Sequence, residues 1–353
     1  RSVRHDVQGR TNPAPRWMRV WRAWEQGGRF GHSLSSRGIR TSLCITGATR
    51  ATWGCDRGDC RQPPTTRRTG LPRYNGGGMS PVSVLVNGVA VDTVSARDRG
   101  FQYGDGLFET IAVSRGTPLL WERHAQRLLA GAVRLDMPPP ETALLRAETD
   151  RLCRGVERGV LKIIFTRGIS GRGYRPDASA STTRALSLSP WPDYPPSWSG
   201  EGVVVRLCQT RLASQPRLAG LKHLNRLEQV LARAEWDDEY AEGLMQDESG
   251  NIIEGTMTNI FLVEEGTLCT PDVTRCGVEG VMRGAVLEQA RCLGIACRVG
   301  PVTATQLEHA DELFLTNSLI GLWPVRRIEN RSYTIGQTTR KIQQAIRDAG
   351  CVA

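Results

Sequence analysis

Gly220-Leu221-Lys222-His223-Leu224-Asn225-Arg226-Leu227-Glu228-Gln229-Val230 is the stretch on which the reading of this chain turns. It holds one of only three lysines, the others being Lys162 and Lys341, against 43 arginines. Where arginine has displaced lysine almost throughout, a surviving lysine is marked for chemistry a guanidinium cannot perform: losing a proton and bonding covalently to a carbonyl carbon. Lys341 lies among Arg and Gln near the C-terminus and reads as a solvated charge. Lys162 sits inside an apolar strand pattern and reads as an edge or snorkelling side chain. Lys222 falls between an irregular segment and the start of a helix, where a side chain can project into a cleft.

Outward from that stretch, the pattern is regular from Met79 onward and predicts an α+β protein of two domains. Residues 82–86 read as a strand, Asn87-Gly88 as a hairpin turn and residues 89–91 as the returning strand. Residues 107–113 form a further strand pattern. A helix is expected over 122–135, with Leu128, Ala132 and Val133 on one face, stopped by Pro138-Pro139-Pro140. A second helix is expected over 141–156, then strands over 160–165 and 185–188. The Pro/Trp/Ser-rich run 193–200 reads as a linker between a small α+β domain, 79–192, and a larger one, 201–353. In the latter, strands are expected over 203–207, 243–246, 252–254, 259–263 and 312–315. Helices are expected over about 225–236, 280–293 and 340–349.

The formal charge of +10 suggests a nucleic-acid partner until it is located. Residues 1–78 hold 15 Arg, no Lys and 4 acidic residues, a net of +11, whereas the rest carries 31 basic and 32 acidic groups. A phosphate-backbone footprint is therefore not expected on the folded part. The 1–78 leader also holds four of the nine Trp and no sustained apolar period, and reads as a disordered tail or as upstream sequence translated in error. A transit peptide is the competing reading, weakened by the lack of a clear amphipathic helix. No apolar run is long enough for a secretory core or a membrane span. Ten cysteines without a CxxC pair suit reduced thiols in a cytoplasmic protein, and Cys55 and Cys60 lack the further ligands a metal clip needs.

The 220–230 stretch closely resembles the lysine segment of the aminodeoxychorismate lyases, a group within the fold-type-IV pyridoxal-phosphate enzymes that also include branched-chain and D-amino-acid transaminases. Four further segments resemble the family in the same order: Tyr103-Gly104-Asp105-Gly106-Leu107-Phe108-Glu109-Thr110, His124 to Leu128, Gly171-Arg172-Gly173-Tyr174, and Glu254-Gly255 through Asn259-Ile260-Phe261. The resemblance covers about residues 79–350. It implies a homodimer in which pyridoxal 5′-phosphate is carried on Lys222. It further implies conversion of 4-amino-4-deoxychorismate to 4-aminobenzoate and pyruvate. A transaminase of the same fold, acting on D-amino or branched-chain amino acids, is the alternative.

The resemblance also distributes roles. Glu254 would pair with the pyridine nitrogen and keep it protonated. Arg127 would fork the cofactor phosphate, aided by the helix opening at Val281 and Met282 and by Asn317 and Ser318. Arg172, Tyr174 and Tyr103 are the candidates for the substrate, whose two carboxylates call for cationic and hydroxyl donors. Thr110 resembles the family threonine that protonates the departing enolpyruvate, with an ordinary strand threonine as the other reading. His223 is read either as orienting its neighbours or as a structural histidine, and Asn225 as a helix N-cap.

Overall fold

The computed structural model describes residues 83–177 and 180–353, so the expectations placed on residues 1–78, including Cys55 and Cys60, lie outside the described residues. Five strands form the first sheet: β1 (Val84–Val86), β2 (Gly106–Ser114), β3 (Thr117–Pro118), β4 (Arg158–Thr166) and β5 (Thr183–Pro190). Their order is β1-β5-β4-β2-β3, antiparallel throughout. Helix α1 (Arg99–Tyr103) precedes β2, and α2 (Trp121–Arg134) and α3 (Thr142–Cys153) follow β3. Leu107, Ile111 and Val113 of β2 join Leu128 and Ala132 of α2 and Leu145 and Leu152 of α3 in one core.

Period-two alternation along β2 decides what the site receives. Leu107, Glu109, Ile111 and Val113 are buried, Glu109 bonding to side chains of α2, while Phe108 and Thr110 are only half-buried and line a cavity on the other face. Thr110 pairs across the strands with Lys162 on β4. Lys162 therefore occupies a central strand rather than the expected edge, with its amine 5.4 Å from the Phe108 ring centroid. The Asn87-Gly88 turn forms with φ of 50° and 83°, as a tight hairpin turn requires. The returning strand at 89–91 does not: it stops after the Val86–Val89 bridge, and Val89 and Val91 stay exposed with no core to meet. Val133 is likewise exposed, five residues out of phase with Leu128; Trp121, His124 and Ala125 complete the buried face instead.

The second sheet begins after α4 (Ser197–Glu201) and comprises β6 (Val203–Leu207), β7 (Glu242–Gln246), β8 (Ile252–Gly255), β9 (Asn259–Glu264), β10 (Thr267–Pro271), β11 (Cys297–Gly300), β12 (Glu312–Asn317), β13 (Gly321–Ile328) and β14 (Arg331–Ser332). The path β9-β12-β13-β6-β7-β8 returns to β9 through the pair Glu254–Asn259, so six strands close a ring at that hairpin. Between the strands run α5 (Leu227–Arg233), α6 (Val281–Cys292) and α7 (Ala304–His309), and α8 (Gln337–Asp348) follows the last of them. One core fills the ring with residues such as Val205, Leu244, Ile260 and Leu315. A second packs Met282 and Val286 of α6 and Ile342 and Ile346 of α8 on Phe261 and Phe314, whose rings stack at 5.0 Å.

The Gly220–Leu224 segment stitches the two halves together. The Phe108 amide donates to the Lys222 carbonyl at 2.9 Å, and the Leu224 amide to the Gly106 carbonyl at 3.0 Å. On its other side the Gly220 amide donates to the Gly277 carbonyl, and the Glu279 amide to the Gly220 carbonyl. Lys222 is thus fixed by backbone ladders on both sides. Helix α5 is shorter than expected, and Asn225 is not its cap: Arg226 holds that position, while Asn225 Nδ2 donates to the Gly104 carbonyl.

Candidate active site

A cavity of about 580 Å³ opens where β2, the Lys222 segment, α5, the β8–β9 hairpin and the N-terminus of α6 converge. Phe108, Thr110, Arg127, Lys222, Glu254, Val281, Met282, Asn317 and Ser318 all line it. Residues more than two hundred positions apart in sequence therefore share one wall.

The Lys222 amine lies 4.3 Å from the Phe108 ring centroid. Burial pulls its pKa down to about 8, with Arg127 and Arg226 adding to the effect against Glu109 and Glu254. A measurable fraction is uncharged at neutral pH, which free lysine does not offer. Burial pushes Glu254 the other way, up to about 7, opposed by the Val278 amide that donates to its Oε2 at 2.8 Å and by the charges of Arg226 and Lys222. An amine lowered and a carboxyl raised towards neutrality in one cleft are a pair suited to moving protons near pH 7.

Arg127 projects from α2 with its guanidinium held on three sides. Nε and Nη2 donate to the Glu109 carboxylate at 2.8 and 2.5 Å, and Nη1 to the Glu279 carbonyl at 2.9 Å. His124, one turn earlier, meets the same carboxylate through Nδ1 at 2.6 Å. Burial opposes charge on Glu109, but Arg127 and His124 outweigh it and hold the carboxyl down at about 2.

Beside Arg127, whose Nη1 reaches the Glu279 carbonyl, lies a rim suited to an anion. Helix α6 opens at Gly280 without a side-chain cap, so the first amides after it are unclaimed by any side chain and the helix dipole is positive there. The buried Thr316 hydroxyl, also on the cavity wall, has no hydrogen-bond partner among the described residues. Val281 and Met282 bury their side chains and can contribute only backbone to a ligand. The Asn317 side chain is occupied, donating to the Met257 carbonyl and accepting from the Leu319 and Ile320 amides, so it shapes the turn that presents Ser318.

Tyr103, Arg172 and Tyr174 do not line this cavity. Tyr103 and Tyr174 meet each other, ring centroids 5.4 Å apart, and the loop is tied down by Arg99, which donates to the Gly173 and Tyr174 carbonyls. Asp105 in turn accepts from both Arg99 and Arg167.

Sequence reasoning missed Glu242 as a site residue. Its buried carboxylate, on the cavity wall, gathers the amides of Thr256 and Met257 and the hydroxyls of Thr256 and Thr258. The signal available was a lone acid opening the apolar strand run 242–246, with hydroxyl residues clustered just past Glu254.

A buried lysine of lowered pKa, a carboxyl of raised pKa and an uncapped helix on a small antiparallel sheet and a larger ring of strands define a class, and the amino-transferase class IV profile matches residues 106–328. The chain belongs to that family, with the two-part α+β architecture of the fold-type-IV enzymes. It is 38% identical to the aminodeoxychorismate lyase of Vibrio harveyi over 73% of this chain and 97% of that protein. The crystal structure of 4-amino-4-deoxychorismate lyase from Pseudomonas aeruginosa superposes with a TM-score of 0.73 at 51% identity, covering 75% of this chain and 98% of that one. A putative branched-chain-amino-acid aminotransferase of Methanocaldococcus jannaschii is 30% identical over 76% of this chain and 96% of that protein.

Proposed function

We propose that this chain is a pyridoxal-phosphate-dependent lyase that converts 4-amino-4-deoxychorismate to 4-aminobenzoate and pyruvate. The observation that carries the chemistry is the shared cavity of Lys222 and Glu254, where burial lowers the amine to about 8 and raises the carboxyl to about 7. The preference for lyase over transaminase rests on the greater similarity to lyases across the described residues.

The cavity suits the cofactor. Its unpartnered Thr316 hydroxyl, the uncapped α6 amides, the Arg127 guanidinium and the Ser318 turn, all on the cavity wall, offer donors a phosphate could use. Pyridoxal phosphate supplies, when bound, a carbonyl for an amine and a ring that accepts the electrons released at the substrate's amine-bearing carbon. Lys222, its amine lowered towards neutrality, is the residue that would hold the cofactor covalently and, when free, would take the proton from that carbon. Glu254 would hold the proton on the ring nitrogen. Thr110, which lines the cavity from β2, would protonate the departing enolpyruvate.

Tyr103, Arg172 and Tyr174 keep a role in substrate recognition through a homodimer in which their surface borders the partner copy's cavity. The exposed Phe101 and Tyr174 rings are consistent with a contact there. Among the described residues no helix is long and apolar enough to cross a membrane. All seven described cysteines are free, which supports placing the enzyme in the reducing cytoplasm.

The test is incubation of purified holoenzyme with 4-amino-4-deoxychorismate, following 4-aminobenzoate by fluorescence and pyruvate by a coupled assay. Equimolar release of both is expected. Release of neither, with rapid amino transfer from D-alanine or leucine to 2-oxo acids, would reassign the chain to the transaminases.

A further inference from the structure

The cavity's arginines differ in what holds them. Arg127 is paired with the Glu109 carboxylate through two of its nitrogens, so its charge is largely compensated before any ligand arrives. Arg226 is held without a carboxylate. Its Nε donates to the His223 carbonyl at 2.9 Å and its Nη2 approaches His223 Nε2 at 2.6 Å, and no acidic oxygen among the described residues lies within ion-pair distance. Since a guanidinium can only donate, His223 Nε2 must present its lone pair, which leaves the imidazole neutral with its proton on Nδ1. Burial, then the neighbouring Arg226 charge, hold His223 down at about 4, so it remains a neutral acceptor across the physiological range.

A neutral anchor fixes the direction of a cation without cancelling it. Nη1 of Arg226 has no hydrogen-bond partner among the described residues, and the side chain lines the same cavity as Lys222 and Glu254. Arg233, at the far end of α5 and also on the wall, donates to the carbonyls of Trp236 and Asp237 and lies over the Trp236 ring, with no carboxylate partner among the described residues. Arg226 and Arg233 therefore present guanidinium groups with no ion-paired carboxylate among the described residues, on a wall they share with the buried acids Glu242 and Glu254, the latter near enough to favour the Arg226 charge. The proposed substrate brings two carboxylates, while Arg172, the expected cationic contact, does not line this chain's cavity.

We propose that Arg226 is a specificity-determining residue that receives a carboxylate of the ring dicarboxylate substrate, and that His223 is the positioning residue that aims it. The inference rests on the lyase reading for the identity of the ligand, and on the Arg226–His223 geometry for its location. It gives the His223-x-x-Arg226 spacing a purpose: the histidine holds the arginine's inner edge and leaves the outer one for an anion. A transaminase substrate with a single carboxylate would leave part of this charge unanswered.

The test measures binding rather than turnover. Chorismate carries the same two carboxylates and lacks the amine, so its affinity for the holoenzyme can be read by titration calorimetry beside that of benzoate, a monocarboxylate. Arg226→Gln is expected to weaken chorismate binding about ten- to a hundredfold, the range for one charge-assisted contact, and to change benzoate binding far less. Arg226→Lys should recover part of the loss. His223→Phe, which removes the acceptor, should weaken chorismate binding in the same direction. Cofactor absorbance, recorded for each variant from pH 5 to 9, separates this role from one exerted through Glu254. A titration that moves with Arg226→Gln while the chorismate affinity does not, an equal loss for both ligands, or no chorismate binding by the unaltered enzyme would each overturn the proposal. Failure of the unaltered enzyme to release 4-aminobenzoate would instead remove the lyase reading, and the chorismate-to-benzoate comparison would still decide the arginine's role.

Discussion

The carboxylate of Glu109 receives Nε and Nη2 of Arg127 at 2.8 and 2.5 Å, and its Oε2 also meets His124 Nδ1 at 2.6 Å, so one buried acid on β2 aims a cation across from α2 into the cavity. Removing its charge strands that cation. Glu109→Gln is expected to cost on the order of 3 kcal/mol of stability, the usual penalty for breaking one side of a buried pair. It should also weaken cofactor binding. Because the folded protein holds this carboxyl at about 2, below its ordinary 4.5, its contribution is complete above pH 4.5 and is lost as pH falls towards 2. Melting curves of the unaltered protein and the variant should therefore converge over that acid window; a gap of constant size from pH 6 to 3 would contradict the assignment.

Lys222 makes a kinetic prediction for the cofactor-free enzyme. With its amine at about 8, the rate of covalent cofactor capture should rise with pH through 8 and level off above 9, where free lysine would still be climbing. Lys222→Arg keeps the charge and abolishes capture. Stopped-flow absorbance gives the rate, and a profile still rising at pH 10 would argue against the buried amine.

Glu254→Gln preserves the shape and hydrogen-bonding reach of the side chain but not its charge. Turnover should fall by roughly a hundredfold or more, with a smaller change in substrate affinity, because the loss falls on the reacting state. Steady-state kinetics at pH 8 provide the comparison.

Gly280 marks where the hairpin approaches the mouth of α6. A Cβ there would stand 1.9 Å from Asn259 Oδ1, whose own amide nitrogen donates to the Val278 carbonyl. Gly280→Ala should displace both and raise the cofactor dissociation constant by about tenfold or more. Gly284→Ala, four residues on, meets nothing closer than 3.8 Å and should be neutral or stabilising by up to about 1 kcal/mol through helix propensity. Equilibrium dialysis and thermal melts of the two variants test the contrast.

The parts of this account legible from sequence are those in which chemistry and local pattern coincide. Lysine scarcity pointed to Lys222, and the strand read over 107–113 lies within β2. The helices at 122–135 and 280–293 were found to within a few residues, since each carries an apolar period and a clear stop. The returning strand at 89–91 was misread because alternating valines describe a strand only where another strand or a core receives them. Val133 was misplaced because a run of three apolar residues does not disclose which one turns outward. Glu242 left only the faint trace of an acid opening a strand, and Thr316 and the compensation of Arg127 by Glu109 left none: each depends on strands and helices that meet only after the ring and the small sheet are assembled.

The central claim is that one amine, on the segment laced between β2 and the turn before α6, carries the cofactor. Reduction of the holoenzyme with borohydride, proteolysis and mass spectrometry read it directly. The pyridoxyl mass should appear on Lys222, within the peptide from Gly220 to Arg226, and nowhere else. A label on Lys162, which faces the neighbouring surface of β4, or on Lys341, or no label at all, would contradict the account.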